Sequence, residues 1–433
     1  MSSVTTTKIP SLKTSISVPG DKSISHRAII LASISNGRTV IRNFLTAEDC
    51  LNTLKAFEKM GIKTDKAKDG SLVVNGAGLF GLKKPDSEIY LGNSGTSMRL
   101  LPGILAGQPF ETILIGDESL SKRPMKRITQ PLRIMGASIE GRDDANFAPL
   151  KIKGAQLKPI VYNVPVASAQ VKSCLMLAAL YADGASVITE PQQSRDHTER
   201  IFKLFKAKVL LKSKTEVSVA GGQQLISPGE LNVPSDISSA AFFIALGMLL
   251  PKTEITIISC GINPTRMGFV DAARKMGADI TIKNIKQEDY EPAADIVVKS
   301  SKLKSIIVQP GQIPSMIDEI PILTLLAVFA QGETIVKGLN ELRVKETDRI
   351  NSMVTNLRAI GADVSSQADA IIIKGPLKNI KQAKVTSFGD HRTAMAMIIA
   401  GCLSDKPITV EDTDCINTSF PGFMDIINGF KIL

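Results

Sequence analysis

The chain has 433 residues, of which 43% are hydrophobic and 22% charged, so it holds enough apolar material for two separate cores. Its 52 Lys and Arg against 42 Asp and Glu leave a net charge of +10, but aromatic residues make up 4% and the basic residues form no long run, which argues against a nucleic-acid-binding protein. The N-terminus lacks the apolar core of a secretory signal and the longest apolar stretch is too short to span a bilayer, so a cytoplasmic protein outside the membrane is expected.

The first predicted helix follows a glycine, a lysine and a serine in VPGDKSISHRA. The spacing does not fit a nucleotide-binding P-loop, because Asp21 separates Gly20 from Lys22. The pattern instead indicates a helix that carries Lys22, Ser23 and Arg27 near its positively polarised end, where anions bind. A solvated basic surface is the alternative for this segment taken alone.

A helix that ends in a short turn before a β-like run recurs six times along the chain. The six segments are KMGIKT at Lys59, IMGASI at Ile134, LFKAKV at Leu204, KMGADI at Lys275, AIGADV at Ala359 and GFKI near the C-terminus. Each follows a strand-like run, and these runs are GRTVIRNF, GQPFETILIG, GASVITEP, KTEITIIS, GETIVKGL and KPITVED. One such unit cannot bury both its helix and its sheet, so we expect the units to pack as three and three. Ordinary α/β alternation without repetition is the alternative.

The predicted domain boundary lies in LNVPSDISSA, where Pro234 and Asp236 precede an apolar helix. The N-terminal strand TSISVPG is expected to join the second half of the chain, because six units need a first strand. The predicted domains are 21–234, and 1–20 together with 235–433, with hinges near 20–21 and 234–236.

Polar segments in the first half place cations and amides beside small residues at predicted element ends. LGNSGTSMRLL offers Gly95 and Arg99, which pair an approachable backbone with a group that binds carboxylate or phosphate. GDESLSKRPM places Arg123 before a proline, and ASAQVKS places Ser168 and Gln170 ahead of an apolar helix. Solvated loops and simple helix caps are the alternatives for each segment.

Two segments in the second half combine carboxylates with cations. SMIDEIPILTLL puts Asp318 directly before an apolar helix, and NELRVKETDRI presents Lys345, Glu346 and Arg349. Lys345 and Arg349 lie four residues apart, which predicts one shared helix face. A helix cap and a surface ion-pair ladder are the alternatives.

The three histidines lie in separate segments, two of them beside Arg195 and Arg392 in SRDHTER and GDHRTAM. Their spacing fits neither HxH nor HExxH, and the five cysteines form no CxxC pair, so no metal is expected. Cations at so many element ends together predict a cleft for polyanionic ligands.

These motifs closely resemble the 5-enolpyruvylshikimate-3-phosphate (EPSP) synthase family, in the order VPGDKSISHRA, GNSGTSMRLL, GDESLSKRPM, SAQVKS, SRDHTER, DISSAAFF, IDEIP, LRVKETDRI, DHRTAM and TSFPGF. SAQVKS and SRDHTER are more similar to the bacterial class II branch of the family than to its plant and enteric branch. The resemblance implies an α/β fold of two similar domains, each of three βαβαββ units (an inside-out α/β barrel), with the active site in the cleft between them. It also implies enolpyruvyl transfer from phosphoenolpyruvate to the 5-hydroxyl of shikimate 3-phosphate, in a monomer without metal or cofactor.

The resemblance implies roles for particular residues. Asp318, Glu346 and Lys22 match catalytic positions. The positions around shikimate 3-phosphate are matched by Lys22, Ser23, Arg27, Ser168, Ala169, Gln170, Arg195, Asp318 and Lys345. Those around phosphoenolpyruvate are matched by Lys22, Gly95, Arg123, Gln170, Arg349 and Arg392.

Two departures and two rival functions qualify the resemblance. Thr418 stands where relatives of another branch carry a lysine, so no phosphate contact is assigned there, and Gly95 leaves room for inhibition by glyphosate. A UDP-N-acetylglucosamine enolpyruvyl transferase would carry a cysteine in the loop from Gly116 to Arg127, where this chain has none. A non-catalytic anion-binding protein would not need Asp318 or Glu346.

Overall fold

A computed structural model describes residues 2–286 and 290–431 of the chain. The strands are short, and in chain order they are β1 (Ser3–Thr6), β2 (Lys13–Ile16), β3 (Asn36–Arg42), β4 (Lys63–Lys66), β5 (Leu72–Ala77), β6 (Ile89–Tyr90), β7 (Glu111–Ile115), β8 (Ser138–Gly141), β9 (Phe147–Lys153), β10 (Val161–Asn163), β11 (Ala185–Thr189), β12 (Val209–Leu211), β13 (Glu216–Ala220), β14 (Glu230–Asn232), β15 (Glu254–Gly261), β16 (Asp279–Lys286), β17 (Ala293–Lys299), β18 (Ile307–Val308), β19 (Gly332–Val336), β20 (Asp363–Gln367), β21 (Ala370–Gly375), β22 (Ala383–Thr386) and β23 (Ile408–Glu411).

The helices alternate with these strands. In chain order they are α1 (Lys22–Ile34), α2 (Glu48–Lys59), α3 (Gly95–Leu105), α4 (Lys126–Ile134), α5 (Arg142–Ala145), α6 (Ala169–Ala179), α7 (His197–Leu204), α8 (Ile237–Leu249), α9 (Gly268–Lys275), α10 (Ile320–Phe329), α11 (Arg349–Ala359), α12 (His391–Cys402) and α13 (Phe423–Gly429). Short 3-10 helices are Leu120–Lys122, Pro264–Arg266, Pro310–Ser315, Ile317–Glu319, Asn340–Val344 and Thr413–Thr418.

The described strands form six small sheets, five with four strands and one with three. The four-stranded sheets share one pattern, seen in the order β6-β7-β9-β8: the first pair is parallel and the other two are antiparallel. The predicted repeat is therefore confirmed, since a chance alternation of helices and strands would not reproduce the same strand order five times.

The turn that marks each repeat has a common backbone conformation. In five repeats the residue after the helix C-cap has a positive φ, and these residues are Gly61 (87°), Gly136 (111°), Lys206 (60°), Gly277 (99°) and Gly361 (96°). In the first repeat the N–H of Gly61 bonds to Glu58 O at 2.9 Å and that of Ile62 to Phe57 O at 3.0 Å, which is the Schellman pattern. Glycine suits this position because it has no Cβ. Lys206 adopts the same conformation although it has a Cβ.

The sixth repeat is built from both ends of the chain. Its sheet has the order β1-β23-β22, in which β23 pairs in parallel with β22 and antiparallel with β1. The predicted final run GFKI is not a strand where the structure describes it, because Gly429 ends α13 and Phe430 is its C-cap. The last two residues of the chain, including Ile432 of that run, lie outside the described residues.

The chain divides into two compact units. Unit I comprises Gly20–Val233 with Tyr290 and Glu291, and unit II comprises the described residues up to Pro19, from Pro234 to Lys286 and from Pro292 onward. Each unit contains three of the six sheets. That the segments near 20–21 and 234–236 act as hinges stays a prediction.

Each unit has its own hydrophobic core built around helices that are buried on all sides. In unit II every residue of α12 is buried, and α8 is the buried apolar helix that the sequence predicts. In unit I, α1 and α6 have the same character. No helix in the described part of the chain is long and apolar enough to cross a bilayer.

Candidate functional site

Many of the predicted site residues lie at or near the N-terminal ends of helices, several of which are buried on all sides, and the others lie in loops or short 3-10 helices. A helix buried on all sides has apolar residues along its length, so its polar residues concentrate where it begins. There the unpaired backbone N–H groups and the helix dipole favour anions. Unit I and unit II each hold one such group of side chains.

In unit I, α1 begins with two of the predicted residues. The side chain of Asp21 caps the helix by accepting from the N–H of Ile24 at 2.9 Å. Lys22 follows, and its Nζ lies 3.1 Å from Oδ2 of Asp49, both largely buried. Ser23 accepts at its backbone oxygen from Arg27 at 2.9 Å. Lys22 and Ser23 are thus held at one helix end.

Arg27 is buried, and its hydrogen-bond partners in the described part of the chain are all uncharged oxygens. It donates from Nε to Thr198 Oγ1 at 2.7 Å, from Nη2 to Ser173 Oγ at 2.7 Å, and from Nη1 to Ser23. Burial lowers the pKa of Arg27 to about 10, although the charge of Glu199 opposes that change. Its positive charge therefore remains available for an anionic ligand.

Gly95, Arg99 and Gln170 are connected by hydrogen bonds. Arg99 donates from Nη1 to Gly95 O and to Gln170 Oε1, at 3.2 Å each. Gln170 donates in turn to Thr96 Oγ1 at 3.1 Å. A Cβ at Gly95 would lie 2.9 Å from Arg99 Nη1 and 3.0 Å from Arg123 Nη1, so glycine lets these guanidinium groups approach the helix start.

Arg123 is held against the same helix start. It follows the 3-10 helix Leu120–Lys122 as its C-cap and is buried. Its guanidinium donates to the backbone oxygen of Asn93 at 3.4 Å, to Oδ1 of Asn93, and to Ser119 Oγ at 3.4 Å. Asn93 is fixed by Asp117, whose Oδ2 accepts from Nδ2 at 2.7 Å.

Ser168, Ala169 and Arg195 lie on two neighbouring loops of unit I. Ser168 caps α6 by accepting from Val171 N at 3.4 Å, and Ala169 is the first residue of that helix. Arg195 is half-buried in the loop between β11 and α7. The backbone N–H of Ser168 donates to Oε1 of Glu190, which belongs to the same loop as Arg195.

In unit II, one buried arginine gathers three carboxylates. Arg349, the first residue of α11, donates to Asp390 at 2.7 Å from Nε, to Glu346 at 2.7 Å from Nη2, and to Asp318 at 3.3 Å from Nη1. Burial alone would lower the pKa of Arg349, but the three carboxylates, Asp390 above all, outweigh it and raise that pKa above its ordinary value.

Asp318 and Arg392 are joined by a second contact. Arg392 Nη1 donates to the backbone oxygen of Asp318 at 3.2 Å, and its Nε lies 3.7 Å from Asp318 Oδ1. Arg392 is the second residue of α12, whose cap Asp390 also holds Arg349. The structure thus brings four predicted residues of unit II together, and they are Asp318, Glu346, Arg349 and Arg392.

The prediction that Lys345 and Arg349 share a helix face is wrong. Lys345 is the C-cap of the 3-10 helix Asn340–Val344, with an extended backbone, whereas Arg349 begins α11 after the cap Asp348. Asp348 forces this break because its side chain accepts from the first N–H groups of α11. Lys345 is half-buried one residue before Glu346.

The histidines are structural neighbours of the two clusters. His26 Nδ1 lies 2.7 Å from Thr53 Oγ1, and burial, then the charges of Lys22 and Arg27, lower the pKa of His26 well below its ordinary value. His197 Nδ1 lies 2.6 Å from Glu291 Oε1. Within residues 2–286 and 290–431, no group of three His, Cys, Asp or Glu side chains is arranged to hold a metal ion.

The two clusters differ in the chemistry they can perform. Unit I offers cations and N–H groups that bind anions, whereas unit II offers two partly exposed carboxylates on one guanidinium, which suits proton transfer. Sequence reasoning misses Asp49, Glu190 and Asp390, because a buried acidic residue in a polar segment looks like any helix cap.

Known proteins resemble this chain over almost its whole length. The family described as EPSP synthase (3-phosphoshikimate 1-carboxyvinyltransferase) matches residues 6–427. A 3-phosphoshikimate 1-carboxyvinyltransferase of Geobacillus kaustophilus is 48% identical over 419 residues, which are 96% of this chain and 97% of that protein. The protein of the same name from Bacillus subtilis is 46% identical over 421 residues, 97% of this chain and 98% of that one.

Solved structures show the same likeness. EPSP synthase from Acinetobacter baumannii superposes with a TM-score of 0.87 at 41% identity, covering 99% of this chain and 98% of that one. The enolpyruvyl transferase NikO from Streptomyces tendae reaches a TM-score of 0.78 at 14% identity, covering 98% and 96%. At that identity the second likeness concerns the fold alone.

Proposed function

This chain belongs to the EPSP synthase family, and from that premise we propose how its own residues carry out the family's reaction. The enzyme transfers the enolpyruvyl group of phosphoenolpyruvate to the 5-hydroxyl of shikimate 3-phosphate and releases phosphate. The reaction adds the hydroxyl across the double bond and then eliminates phosphate. It therefore needs binding sites for anions and two groups that move protons.

The cations of unit I hold the anionic groups of the substrates. Arg27 and Arg195, with the hydroxyls of Ser23 and Ser168, bind the phosphate of shikimate 3-phosphate. The support is that Arg27 is buried among uncharged oxygens, so that its charge is not already neutralised by a bonded carboxylate. Ala169 and Gln170, at the start of α6, line the ring of that substrate.

A second set of residues is assigned to phosphoenolpyruvate. Lys22, Arg123 and the backbone at Gly95 bind it, with Gln170 between the two substrates. The family resemblance adds Arg349 and Arg392 for phosphoenolpyruvate and Lys345 for the acceptor. Such preorganised charge is the largest single contribution to transition-state stabilisation in many enzymes.

Two carboxylates of unit II move the protons. Asp318 takes the proton of the 5-hydroxyl while the hydroxyl oxygen bonds to the central carbon of phosphoenolpyruvate. At the same time Glu346 gives a proton to the methylene carbon. In the elimination Glu346 takes a proton back from the methyl group, the double bond reforms, and the carbon–oxygen bond to phosphate breaks. Lys22 gives a proton to the departing phosphate. Asp318 then loses the hydroxyl proton to solvent and Lys22 regains one, so the proton of the 5-hydroxyl is balanced by the one that leaves with phosphate.

The observation that carries this assignment is the placement of Asp318 and Glu346 on one guanidinium. Arg349 is buried and donates to both, so the two groups are held near each other with their side chains still partly exposed. A surface ion-pair ladder, the alternative for this segment, would not bury its arginine.

The test is phosphate release from phosphoenolpyruvate with shikimate 3-phosphate or UDP-N-acetylglucosamine as acceptor. Turnover with the shikimate acceptor alone is expected, and its loss in Asp318→Ala and in Glu346→Ala supports both roles. Turnover with the sugar nucleotide would instead support the rival enolpyruvyl transferase, and undiminished activity of the two variants would overturn the proton-transfer roles.

We further propose that the enzyme works as a monomer in the cytoplasm and is inhibited by glyphosate in competition with phosphoenolpyruvate. Gly95 motivates the inhibition. Light scattering after size-exclusion chromatography tests the monomer, and a dimer mass would contradict it. Cell fractionation tests the location, and glyphosate titration at several phosphoenolpyruvate concentrations tests the competition.

A further inference from the structure

A buried ion triad lies behind the acceptor-side loops of unit I. Lys172 Nζ is 2.7 Å from Glu190 Oε2 and 2.7 Å from Glu199 Oε1, and the three side chains are 4%, 1% and 6% exposed. None of them belongs to the residues proposed above to touch a substrate. The triad therefore has no role yet in the reaction.

The position of Lys172 is unfavourable for a positive charge. It lies in the first turn of α6, where the helix dipole disfavours a cation, and it is buried. Burial alone would lower the pKa of Lys172, but Glu199 and Glu190 outweigh it and raise that pKa. Since well-packed apolar residues stabilise a core as well as a buried ion pair does, stability alone does not explain this triad.

Glu190 connects the two loops that carry acceptor-binding residues. Its Oε1 accepts from the N–H of Ser168 at 3.3 Å and from the hydroxyl of Ser194 at 2.6 Å. Its Oε2 accepts from the N–H of Ser194 at 3.4 Å, beside Lys172. Ser168 caps α6 and Ser194 directly precedes Arg195, so one carboxylate fixes both loops.

Glu199 differs from Glu190 in this respect. It shares Lys172 and the same burial, but among the described residues its buried Oε2 has no hydrogen-bond partner, and no hydrogen bond joins its side chain to either loop. Burial raises the pKa of Glu199, which favours its uncharged form. Glu199 is thus a matched control for the loop contacts of Glu190.

We propose that Glu190 is a positioning residue for the acceptor, which holds Ser168 and Arg195 in the geometry that binds shikimate 3-phosphate, and that Lys172 holds Glu190 in place. This inference rests on the acceptor-binding roles proposed above. It assigns Glu190 no contact with the substrate. Removal of the Glu190 carboxylate should therefore weaken acceptor binding and leave the rate of the chemical steps in the bound complex unchanged.

Steady-state kinetics of Glu190→Gln test the proposal. In either orientation of the amide, its NH₂ faces a donor, because each oxygen of Glu190 accepts from two donors. The KM for shikimate 3-phosphate is expected to rise about tenfold, while the KM for phosphoenolpyruvate and kcat stay within about twofold. Lys172→Met is expected to change the same KM in the same direction.

Two further variants separate positioning from general loss of structure. Glu199→Gln is expected to leave the acceptor KM within about twofold even if it lowers the melting temperature. The double variant Lys172→Met/Glu190→Gln is expected to raise the acceptor KM no more than the larger single change, because the two act as one device.

The outcomes are distinguishable. An equal rise of the acceptor KM in Glu199→Gln and Glu190→Gln, or a uniform loss of kcat without a change in KM, would overturn the positioning role. Failure of the wild-type enzyme to turn over with shikimate 3-phosphate would instead overturn the function itself. A Glu190→Gln protein that does not fold would shift the test to Lys172→Met, where an unchanged acceptor KM would contradict the proposal.

Discussion

Two buried arginines, Arg27 in unit I and Arg349 in unit II, show how one side chain serves opposite purposes. Arg27 lies within α1 and Arg349 is the first residue of α11, and they are 5% and 2% exposed. Arg27 donates to two hydroxyls and a backbone oxygen, whereas Arg349 donates to three carboxylates. The pKa of the first is lowered by burial and that of the second is raised by its carboxylates despite burial.

The difference teaches which arginine has a positive charge that no bonded carboxylate compensates. A guanidinium among uncharged groups gains most from a ligand that brings its own negative charge, so Arg27 suits a phosphate. A guanidinium already paired with carboxylates also holds those carboxylates in position, so Arg349 organises Asp318 and Glu346 in addition to the phosphoenolpyruvate-binding role proposed for it. Changes at either arginine should therefore affect different kinetic constants.

The largest effect is expected from removing the carboxylates that Arg349 holds. Glu346→Gln and Asp318→Asn keep the side-chain shape but cannot transfer a proton as required, so kcat should fall by about 10²-fold to 10⁴-fold. Phosphate release at saturating concentrations of both substrates measures this change, with circular dichroism as the control for folding. A kcat within about tenfold of wild type would show that these carboxylates only hold Arg349.

The third carboxylate sharpens the comparison through stability. Asp390→Asn keeps an oxygen to cap α12 but leaves Arg349 with less compensation, so the free energy of unfolding should fall by about 3 kcal/mol. The matched change at Arg27 is Thr198→Val, which removes one uncharged partner and should cost about 1 kcal/mol. Urea denaturation measures both, and equal losses would mean that the two environments do not differ in strength.

Replacement of Arg27 should act on binding of the acceptor. Arg27→Gln removes a charged donor, so the KM for shikimate 3-phosphate should rise by about 10-fold to 100-fold, with little change in the KM for phosphoenolpyruvate. Arg27→Lys keeps the charge without the planar fork and should give a smaller rise. If instead kcat falls and both KM values stay constant, Arg27 resembles Arg349 in purpose and the comparison fails.

The smallest effect is expected from pH. Because the pKa of Arg27 is about 10, the free enzyme loses this charge as the pH rises through that value, whereas a bound phosphate keeps it charged. Affinity for shikimate 3-phosphate should thus be constant at neutral pH and fall above about pH 9.5, by at most about tenfold per pH unit. Calorimetric titration of wild type and Arg27→Gln isolates the share due to Arg27, and identical slopes would contradict it.

Much of the fold could be predicted because it is repeated. The turn after each helix requires a positive φ, so a glycine recurs at Gly61, Gly136, Gly277 and Gly361, and the pattern is visible without a structure. The third copy, LFKAKV, can be recognised from its spacing although it has Lys206 where four other copies have glycine. The prediction for the final run is wrong because the sixth sheet uses β1 from the other end of the chain.

Site residues could be predicted from the sequence only where they lie within the motifs that resemble the family. Asp318, Glu346, Arg349 and Arg392 lie together in unit II, but their connection through Asp390 could not be foreseen, because a helix cap and a buried counter-ion look alike in sequence. The error at Lys345 has the same origin, because a helix-like spacing does not reveal that Asp348 starts a new helix.

The use of β1 and β2 in unit II has a consequence for synthesis on the ribosome. Ser3 pairs with Glu411 and Thr14 with Ile255, so the first strands to emerge must wait for partners made much later. Unit I, by contrast, is almost entirely one continuous stretch and has its sheet partners within Gly20–Val233. Translation therefore favours a nascent chain in which unit I is folded while the N-terminal strands are still exposed to chaperones.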